Sequence, residues 1–239
     1  MTPSALQPPH FRDSPLSAPD LRSIYRRLLT FFGPQHWWPG ETPFEVCVGA
    51  VLTQNTAWKN VEKAIANLKA ADLLEPHRLL ATADAELAEL IRPSGYFNLK
   101  TRRLKGFLQF LNDNYGGNLE RMGVEPLDSL RPRLLEAYGV GPETADSILL
   151  YALGKPTFVV DAYTCRIFSR LGAVPEGIRY HDMQAVFFRR LPPDARIFNE
   201  FHALLVALGK DFCRPRNPRC TACPLADICR HGAGRGANR

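Results

Sequence analysis

The stretch from Leu134 to Gly172 constrains the fold most, because it predicts a tight helical hairpin followed by a third helix. Its turn is Gly139-Val140-Gly141, where glycine permits backbone angles that residues with a side chain avoid. Pro142 suits the first position of the next helix, where its missing N–H costs nothing. That helix stops at Gly154 and has one apolar face, formed by Ala145, Ile148, Leu149 and Ala152.

Two features of this stretch have both an ordinary and a functional interpretation. Exposed N–H groups at a helix start can bind a phosphate without a basic side chain, but such a turn also occurs as a plain helix connection. Asp161 follows the apolar run Thr157–Val160 and precedes a helix. It is either an N-cap or a carboxylate that its capping bonds hold at the mouth of a cleft.

Composition sets broad limits on the protein. The chain has 239 residues, enough for one large core or two modest ones, and its net charge of +6 is compatible with a polyanionic partner. It has no apolar run near the ~20 residues of a membrane helix and no signal-peptide core, so we expect a soluble, cytoplasmic protein without a membrane partner. Residues 1–19 contain five prolines, which predicts a poorly ordered leader.

Helical periodicity dominates the rest of the chain and strand signals are nearly absent, so the predicted fold class is all-α. Asp20 is the expected N-cap of the first helix, which ends near Gly33-Pro34. Two short helices are predicted between residues 73 and 90, the second capped by Thr82 or Asp84.

A basic helix is predicted from Lys100 to Leu111, with its charged side chains in solvent. Those side chains are Lys100, Arg102, Arg103 and Lys105. Cys47 and Cys165 fall on apolar helix faces and are expected to be inert, buried thiols.

Adjacent tryptophans mark a loop near the start of the chain. Trp37 and Trp38 precede Pro39-Gly40, and both rings cannot point into one core from a regular element. They form either core packing or a stacking surface for a base, together with Trp58. The polar run Thr53–Thr56, which includes Gln54, is either a capped helix end or part of a site.

The most specific motif is Cys213-x6-Cys220-x2-Cys223-x5-Cys229. Because export is not indicated, metal ligation explains these cysteines better than disulfides do. Four thiolates can hold an iron–sulfur cluster or a zinc ion, but zinc ribbons usually pair two CxxC knuckles and here there is one. Basic residues that could face a phosphate backbone lie between and beside the cysteines: Arg214, Arg216, Arg219 and Arg230.

The hairpin, the V-V-D sequence ending at Asp161 and the cysteine spacing resemble the helix-hairpin-helix DNA glycosylases of the endonuclease III superfamily. The resemblance covers residues 21–230 and implies a two-lobed all-α fold, a [4Fe–4S] cluster on the four cysteines and Asp161 as the catalytic residue. It implies a helical barrel domain (36–152) and a cluster domain (20–35 plus 153–239). The partner would be damaged double-stranded DNA, bound by a monomer, and the protein would associate with the nucleoid if bacterial.

Four segments are similar to the 3-methyladenine DNA glycosylase III branch: Trp37-Trp38-Pro39, residues 52–58, residues 92–100 and residues 139–146. This similarity implies a pocket for alkylated purines lined by Trp37, Trp38, Pro39 and Trp58, with Gln54 filling the gap left by the flipped nucleotide. DNA would contact Gly139, Val140, Gly141, Glu143, Thr144, Arg214, Arg216 and Arg219.

Glu143 stands where lyase-competent members of the superfamily carry a lysine. A carboxylate cannot form a Schiff base, so the resemblance implies a monofunctional hydrolase. Glu143 alternatively serves only as a favourable charge in the first turn of its helix. No other lysine is expected near the site, since Lys155 lies past the helix end and Lys210 belongs to the cysteine lobe. The alternatives are a bifunctional oxidised-pyrimidine glycosylase/lyase and a catalytically weak lesion-binding protein.

Overall fold

The computed structural model describes residues 20–35, 37 and 40–236, and the predicted leader 1–19 lies outside this part of the chain. The fold class is all-α, as predicted, because every regular element in the described ranges is helical. The α-helices are α1 Leu21–Phe32, α2 Pro43–Leu52, α3 Trp58–Ala70, α4 Pro76–Ala81, α5 Asp84–Leu90, α6 Phe97–Tyr115, α7 Leu119–Val124, α8 Leu127–Glu136, α9 Pro142–Ser147, α10 Ala162–Leu171, α11 Tyr180–Arg190, α12 Ala195–Asp211 and α13 Arg230–Gly236. None of them is long and apolar enough to cross a bilayer.

Local signals set most helix ends. Asp20 accepts hydrogen bonds from the first turn of α1, and Gly33 ends the helix at φ 71°, both as predicted. The predicted cap of α5 is wrong, because α5 begins after Ala83 without a side-chain cap. Thr82 instead donates its hydroxyl to the carbonyl of Arg78 at 2.8 Å and so completes the end of α4.

The buried apolar residues fall into two clusters. One is built from α2 to α9 and contains residues between Phe44 and Leu149. The other is built from α1 and the chain after Leu150, including the apolar run before Asp161 and helices α10 to α12. A cleft lies where the two clusters meet, and the exact domain division remains a prediction.

The predicted hairpin is present between α8 and α9. Gly139 has φ 79°, and a Cβ at this position would collide with the side chain of Arg103, so only glycine fits. Gly141 has φ −88° and open space around it, so its lack of a side chain is not needed for folding. After Ser147 the helix continues as a π turn over Ile148–Ala152 instead of the regular α-helix that was predicted.

A buried carboxylate ties the hairpin helix to the run that ends at Asp161. Asp146 is fully buried and accepts two hydrogen bonds from Arg131, at 2.7 and 2.8 Å. It also accepts from Thr157 at 2.9 Å, on the extended run, and from two side chains of α11. Because Asp146 is fully buried and its partners come from three separate segments, this network fixes where the extended run leaves the core.

The predicted solvent-facing basic helix is wrong at Lys100. Its side chain is 1% exposed, and its ammonium donates to the carbonyls of Leu52 and Ser94 and to the Thr56 hydroxyl at 2.6–2.7 Å. Burial, assisted by the positive charge of Arg103, lowers the pKa of Lys100 to about 8. The Lys105 side chain is also partly buried, and its ammonium donates to two carbonyls at the end of α4. Both ammonium groups reach acceptors on other segments, which the pattern of the helix alone does not reveal.

A cleft between two helix starts, and a cysteine loop

A cleft of about 590 Å³ runs between the two apolar clusters. Both the start of α9, with Glu143, and the start of α10, with Asp161, open onto it. Its other lining includes Trp37, Gln54, Trp58, Arg103, Thr144, Tyr163, His202 and Lys210. A cleft with aromatic walls and two carboxylates is large enough to enclose one nucleobase.

Asp161 is both the N-cap of α10 and a buried group of the cleft. Its Oδ1 accepts hydrogen bonds from the backbone N–H and the hydroxyl of Thr164 at 2.7 and 2.9 Å. Burial acts to raise the pKa of Asp161, but the nearby His202 ring and the Thr164 bonds outweigh it and hold the pKa below the usual value. The two interpretations of this residue are therefore compatible, since capping keeps the carboxylate ionised and fixed in place.

His202, on α12, approaches the other oxygen of the Asp161 carboxylate. The Nε2 atom of His202 lies 3.5 Å from Asp161 Oδ2, and its Nδ1 lies 2.6 Å from the hydroxyl of Tyr151. His202 is buried in the middle of α12, with a side chain that is 5% exposed. Burial, and then the charges of Asp161 and Glu143, raise the pKa of Tyr151 far above its usual value, so the phenol keeps its proton.

Glu143, the other carboxylate of the cleft, differs from Asp161 in its hydrogen bonds and in the direction of its pKa shift. Its side chain is open to solvent at the mouth, although the cleft walls surround it, and it accepts no hydrogen bond from the described residues. Burial by the walls, followed by repulsion from Asp161, raises the pKa of Glu143 to about 7. The same carboxylates and burial raise the pKa of Cys165, which keeps that half-buried thiol protonated.

The aromatic lining agrees in part with the sequence prediction. Trp37 and Trp58 both line the cleft, whereas Trp38 and Pro39 lie outside the described residues. The ammonium of Lys210 stands 5.5 Å from the centre of the Trp37 ring. The expectation that no other lysine stands near the site is therefore wrong, because Lys210 lines the cleft from the last turn of α12.

Gln54 is held against the hairpin. Its amide donates to the Gly139 carbonyl at 3.1 Å and to the Thr144 hydroxyl at 2.9 Å, and its carbonyl accepts from Arg103. To fill a gap in a duplex, this side chain would have to leave those three partners.

The residues predicted to contact DNA differ in how accessible they are. Val140 and Thr144 have buried side chains, so only their backbone could meet a phosphate, and the Val140 N–H already donates to the Ala137 carbonyl at 3.1 Å. Arg216 and Arg219 are exposed, and Arg214 is partly buried.

The four cysteines of the C-terminal motif converge on one small cavity, whose wall also includes Arg170, Phe212 and His231. They are not paired as disulfides. Burial, followed by the charges of the other three cysteines, raises the pKa of Cys223. Arg170 donates to Cys213 Sγ at 3.4 Å and to the Arg214 carbonyl at 2.7 Å, so the loop is anchored to α10. Four thiols around one cavity fit an iron–sulfur cluster.

The sequence did not reveal four residues that line the cleft, which are Arg103, Tyr163, His202 and Lys210, nor Tyr151, which contacts His202 from behind the lining. One signal was available, because His202 interrupts the apolar sequence Phe201–Leu208 and a polar residue there needs a partner. Its partners could not have been named, since Tyr151 lies 51 residues away.

Comparison with protein families gives two matches. A model described as "HhH-GPD superfamily base excision DNA repair protein" matches residues 48–193. A model described as "Iron-sulfur binding domain of endonuclease III" matches residues 213–229, the segment that contains the four cysteines.

Individual relatives agree with these matches. A Methanocaldococcus jannaschii protein named "Putative DNA repair glycosylase MJ1434" is 52% identical over 208 residues, covering 86% of this chain and 94% of the relative. A trapped covalent complex of endonuclease III with DNA has a TM-score of 0.78 at 25% identity, covering 90% of this chain and 97% of the other. The H. pylori 3-methyladenine DNA glycosylase MagIII, bound to 1,N6-ethenoadenine, has a TM-score of 0.69 at 30% identity, covering 80% of this chain and 97% of the other.

Proposed function

Because the chain belongs to the HhH-GPD superfamily of base excision DNA repair proteins, as a DNA glycosylase of the endonuclease III family with a [4Fe–4S] cluster, we propose that it is a monofunctional glycosylase acting on alkylated purines. It would rotate the damaged base out of the duplex and hydrolyse the N-glycosidic bond. The observation that carries this proposal is the pair of helix starts at the cleft: an ionised, fixed Asp161 faces a glutamate where a Schiff-base lysine would be needed.

Asp161 is the proposed catalytic residue. As the bond to the base breaks, positive charge develops on the sugar, and a carboxylate that is already ionised and oriented stabilises it without rearranging. Water beside Asp161 is then the nucleophile, so the product is an intact strand with an abasic site. The hydrogen bonds from Thr164 support this role because they favour the charged form of the carboxylate.

The base pocket is proposed from the aromatic lining. Trp37 and Trp58 stand on the cleft wall, where a base could stack between or beside them, and Trp38 and Pro39 remain proposed neighbours. An aromatic contact with a cationic alkylpurine contributes about 0.5–2 kcal/mol beyond burial. The 3-methyladenine glycosylase bound to an ethenoadenine supports a damaged purine as the substrate.

The remaining proposed contacts are with the DNA backbone and the cluster. The hairpin turn and the start of α9, which comprise Gly139, Val140, Gly141, Glu143 and Thr144, would meet one phosphate, and the exposed arginines of the cysteine loop would meet others. Cys213, Cys220, Cys223 and Cys229 would ligate the [4Fe–4S] cluster, which when bound cross-links the loop that presents Arg214, Arg216 and Arg219. The protein would act as a monomer, in the cytoplasm and on the nucleoid if bacterial.

A bifunctional oxidised-pyrimidine glycosylase/lyase is the second candidate. It has specific support in Lys210, an amine that lines the cleft, and in the likeness to the covalent endonuclease III complex. A lesion-binding protein without activity would not need an ionised carboxylate buried in the same cleft.

A panel of duplexes, each with one defined lesion, tests the proposed substrate. We expect release of 3-methyladenine or 1,N6-ethenoadenine, measured as base separated from the duplex, and no release of thymine glycol. Trp58→Ala should lose excision of the alkylpurine while its affinity for an abasic-site duplex changes little. Release of oxidised pyrimidines but not alkylpurines would contradict the substrate proposal, and equal losses of excision and abasic-site affinity would make Trp58 a packing residue.

A further inference from the structure

His202 is a buried imidazole of the cleft wall whose two nitrogen atoms both face polar groups. Its Nδ1 lies 2.6 Å from the Tyr151 hydroxyl, and its Nε2 lies 3.5 Å from Asp161 Oδ2. The Nε2 atom has no hydrogen-bond partner among the residues that the structure describes. A polar atom buried in this way costs free energy unless something compensates it.

The protons of this group can be assigned from its neighbours. When the Tyr151 hydroxyl donates to Nδ1, that nitrogen acts as an acceptor, and the proton of a neutral imidazole is left on Nε2. If the ring is instead doubly protonated, Nε2 again carries a proton. The tautomer protonated only on Nδ1 is disfavoured, because it would point the Nε2 lone pair at the Asp161 carboxylate.

We propose that His202 is a positioning residue for Asp161, with Tyr151 fixing the tautomer that directs an N–H toward Oδ2. This inference rests on the proposed function, in which Asp161 acts on the sugar. Thr164 holds Oδ1 from the first turn of α10, and His202 holds Oδ2 from α12. The plane of the carboxylate is thereby fixed from two different helices.

The separation of 3.5 Å is longer than a direct hydrogen bond, so in this state the N–H orients the carboxylate by electrostatic attraction. Contacts of this kind often shorten when substrate closes the site. The other ionisable groups that line the cleft are Arg103, Glu143, Tyr163 and Lys210. None of them makes a hydrogen bond to Asp161 in the described part of the chain, so the contact that orients Oδ2 comes from His202.

Two variants separate orientation from packing. His202→Leu removes both nitrogen atoms, whereas His202→Gln keeps an N–H donor close to the position of Nε2. Leu204→Ala is the matched control, because Leu204 is fully buried on the same helix and lies outside the cleft lining. It should lower stability without affecting Asp161.

The first readout is the single-turnover rate of base release with enzyme in excess. We expect His202→Leu to slow release about 100-fold, the loss that a misplaced reacting group can cause, with an unchanged affinity for an abasic-site duplex. His202→Gln should recover at least a tenth of the wild-type rate, and folded Leu204→Ala should match the wild type. Loss of less than about twofold in His202→Leu, or an equal loss in Leu204→Ala, would overturn the proposal.

The second readout does not depend on activity. The ¹⁵N shifts of the His202 ring in the full chain report which nitrogen atoms carry protons, and we expect Nε2 to be protonated in the wild type and the ring to lose this preference in Tyr151→Phe. A ring protonated on Nδ1 alone would overturn the proposal. If the wild type released no base from any duplex, the proposed function would fail, while these shifts would still decide whether His202 directs an N–H at Asp161.

Discussion

The starts of α9 and α10 open onto the same cleft, and each presents a carboxylate in an opposite electrostatic environment. Asp161 receives two hydrogen bonds from Thr164 and faces an imidazole, so its pKa falls despite burial. Glu143 receives none from the described residues, so burial by the cleft walls, followed by repulsion from Asp161, raises its pKa to about 7. Burial therefore raises the pKa of a carboxyl group at this cleft unless hydrogen-bond donors and a nearby imidazole offset it, as they do at Asp161.

The largest expected effect comes from removing the charge at α10. Asp161→Asn keeps the shape of the side chain but cannot stabilise positive charge on the sugar, so base release should fall about 10³-fold. Binding to a lesion duplex should be unchanged or slightly tighter, because one negative charge is removed near phosphates. Single-turnover excision and an electrophoretic binding assay measure the two effects, and full activity would reduce Asp161 to a helix cap.

The two glycines of the hairpin turn before α9, Gly139 and Gly141, differ in how strictly the backbone requires glycine. Gly139→Ala places a side chain at φ 79° and against Arg103, and should lower the free energy of unfolding by about 2 kcal/mol. Gly141→Ala should change stability by less than about 0.5 kcal/mol, since its backbone is ordinary and its surroundings are open. If Gly141→Ala nevertheless weakens DNA binding, a phosphate approaches the backbone there. Denaturant unfolding of both variants gives the comparison, and equal losses would contradict it.

Removing one of the hydrogen bonds that Asp161 accepts should bring its pKa closer to that of Glu143. Thr164→Val has a similar shape but lacks the hydroxyl that donates to Oδ1 at 2.9 Å. The pKa of Asp161 should rise, because one of the hydrogen bonds that favour its charged form is lost while the backbone N–H remains. The acid limb of the rate profile should therefore move to higher pH, with rates equal to wild type on the alkaline side. An unchanged acid limb would show that Asp161 does not set it.

The smallest effect is expected at Glu143. With a pKa of about 7, Glu143 gains a negative charge as pH rises from 6 to 8.5, and this charge lies beside the proposed phosphate site. Wild-type affinity for DNA should fall over this range relative to Glu143→Gln, which stays neutral. Solvent at the mouth screens the charge, so the difference should be only about threefold at pH 8.5 and absent at pH 6. Parallel pH profiles for both proteins would mean that Glu143 does not face the DNA.

Features encoded within a few residues of sequence were predicted well. Residues close along the chain determine the N-caps of α1 and α10 and the glycine turn. The spacing of the cysteines is likewise local and identified the iron–sulfur motif. Lys100 was misassigned because its three acceptors come from other segments, so the charge pattern of α6 does not show that the side chain is buried. Lys210 is a similar case, since the path of α12 past the cleft depends on tertiary packing.

The contacts of the site depend on still longer separations. Gln54 bonds to Gly139 and Thr144, which lie 85 and 90 residues further along the chain. The sequence could indicate that Gln54 and Asp161 belong to sites, but not that the first would lean on the hairpin or that the second would face His202. Those positions follow from how the two apolar clusters meet.

The central claim, a glycosylase that uses water and not an amine, is tested most directly by one time course. Wild-type enzyme is mixed with a duplex containing an excisable alkylpurine, and base release, strand cleavage and borohydride-trapped protein–DNA adduct are followed together. Lys210→Met, which removes the amine lining the cleft, and Glu143→Lys, which restores an amine at the hairpin, are run in parallel. We predict base release without adduct or strand breaks in the wild type and in Lys210→Met, with trapping gained only in Glu143→Lys. A wild-type adduct that forms at the rate of base release, and disappears in Lys210→Met, would contradict the account.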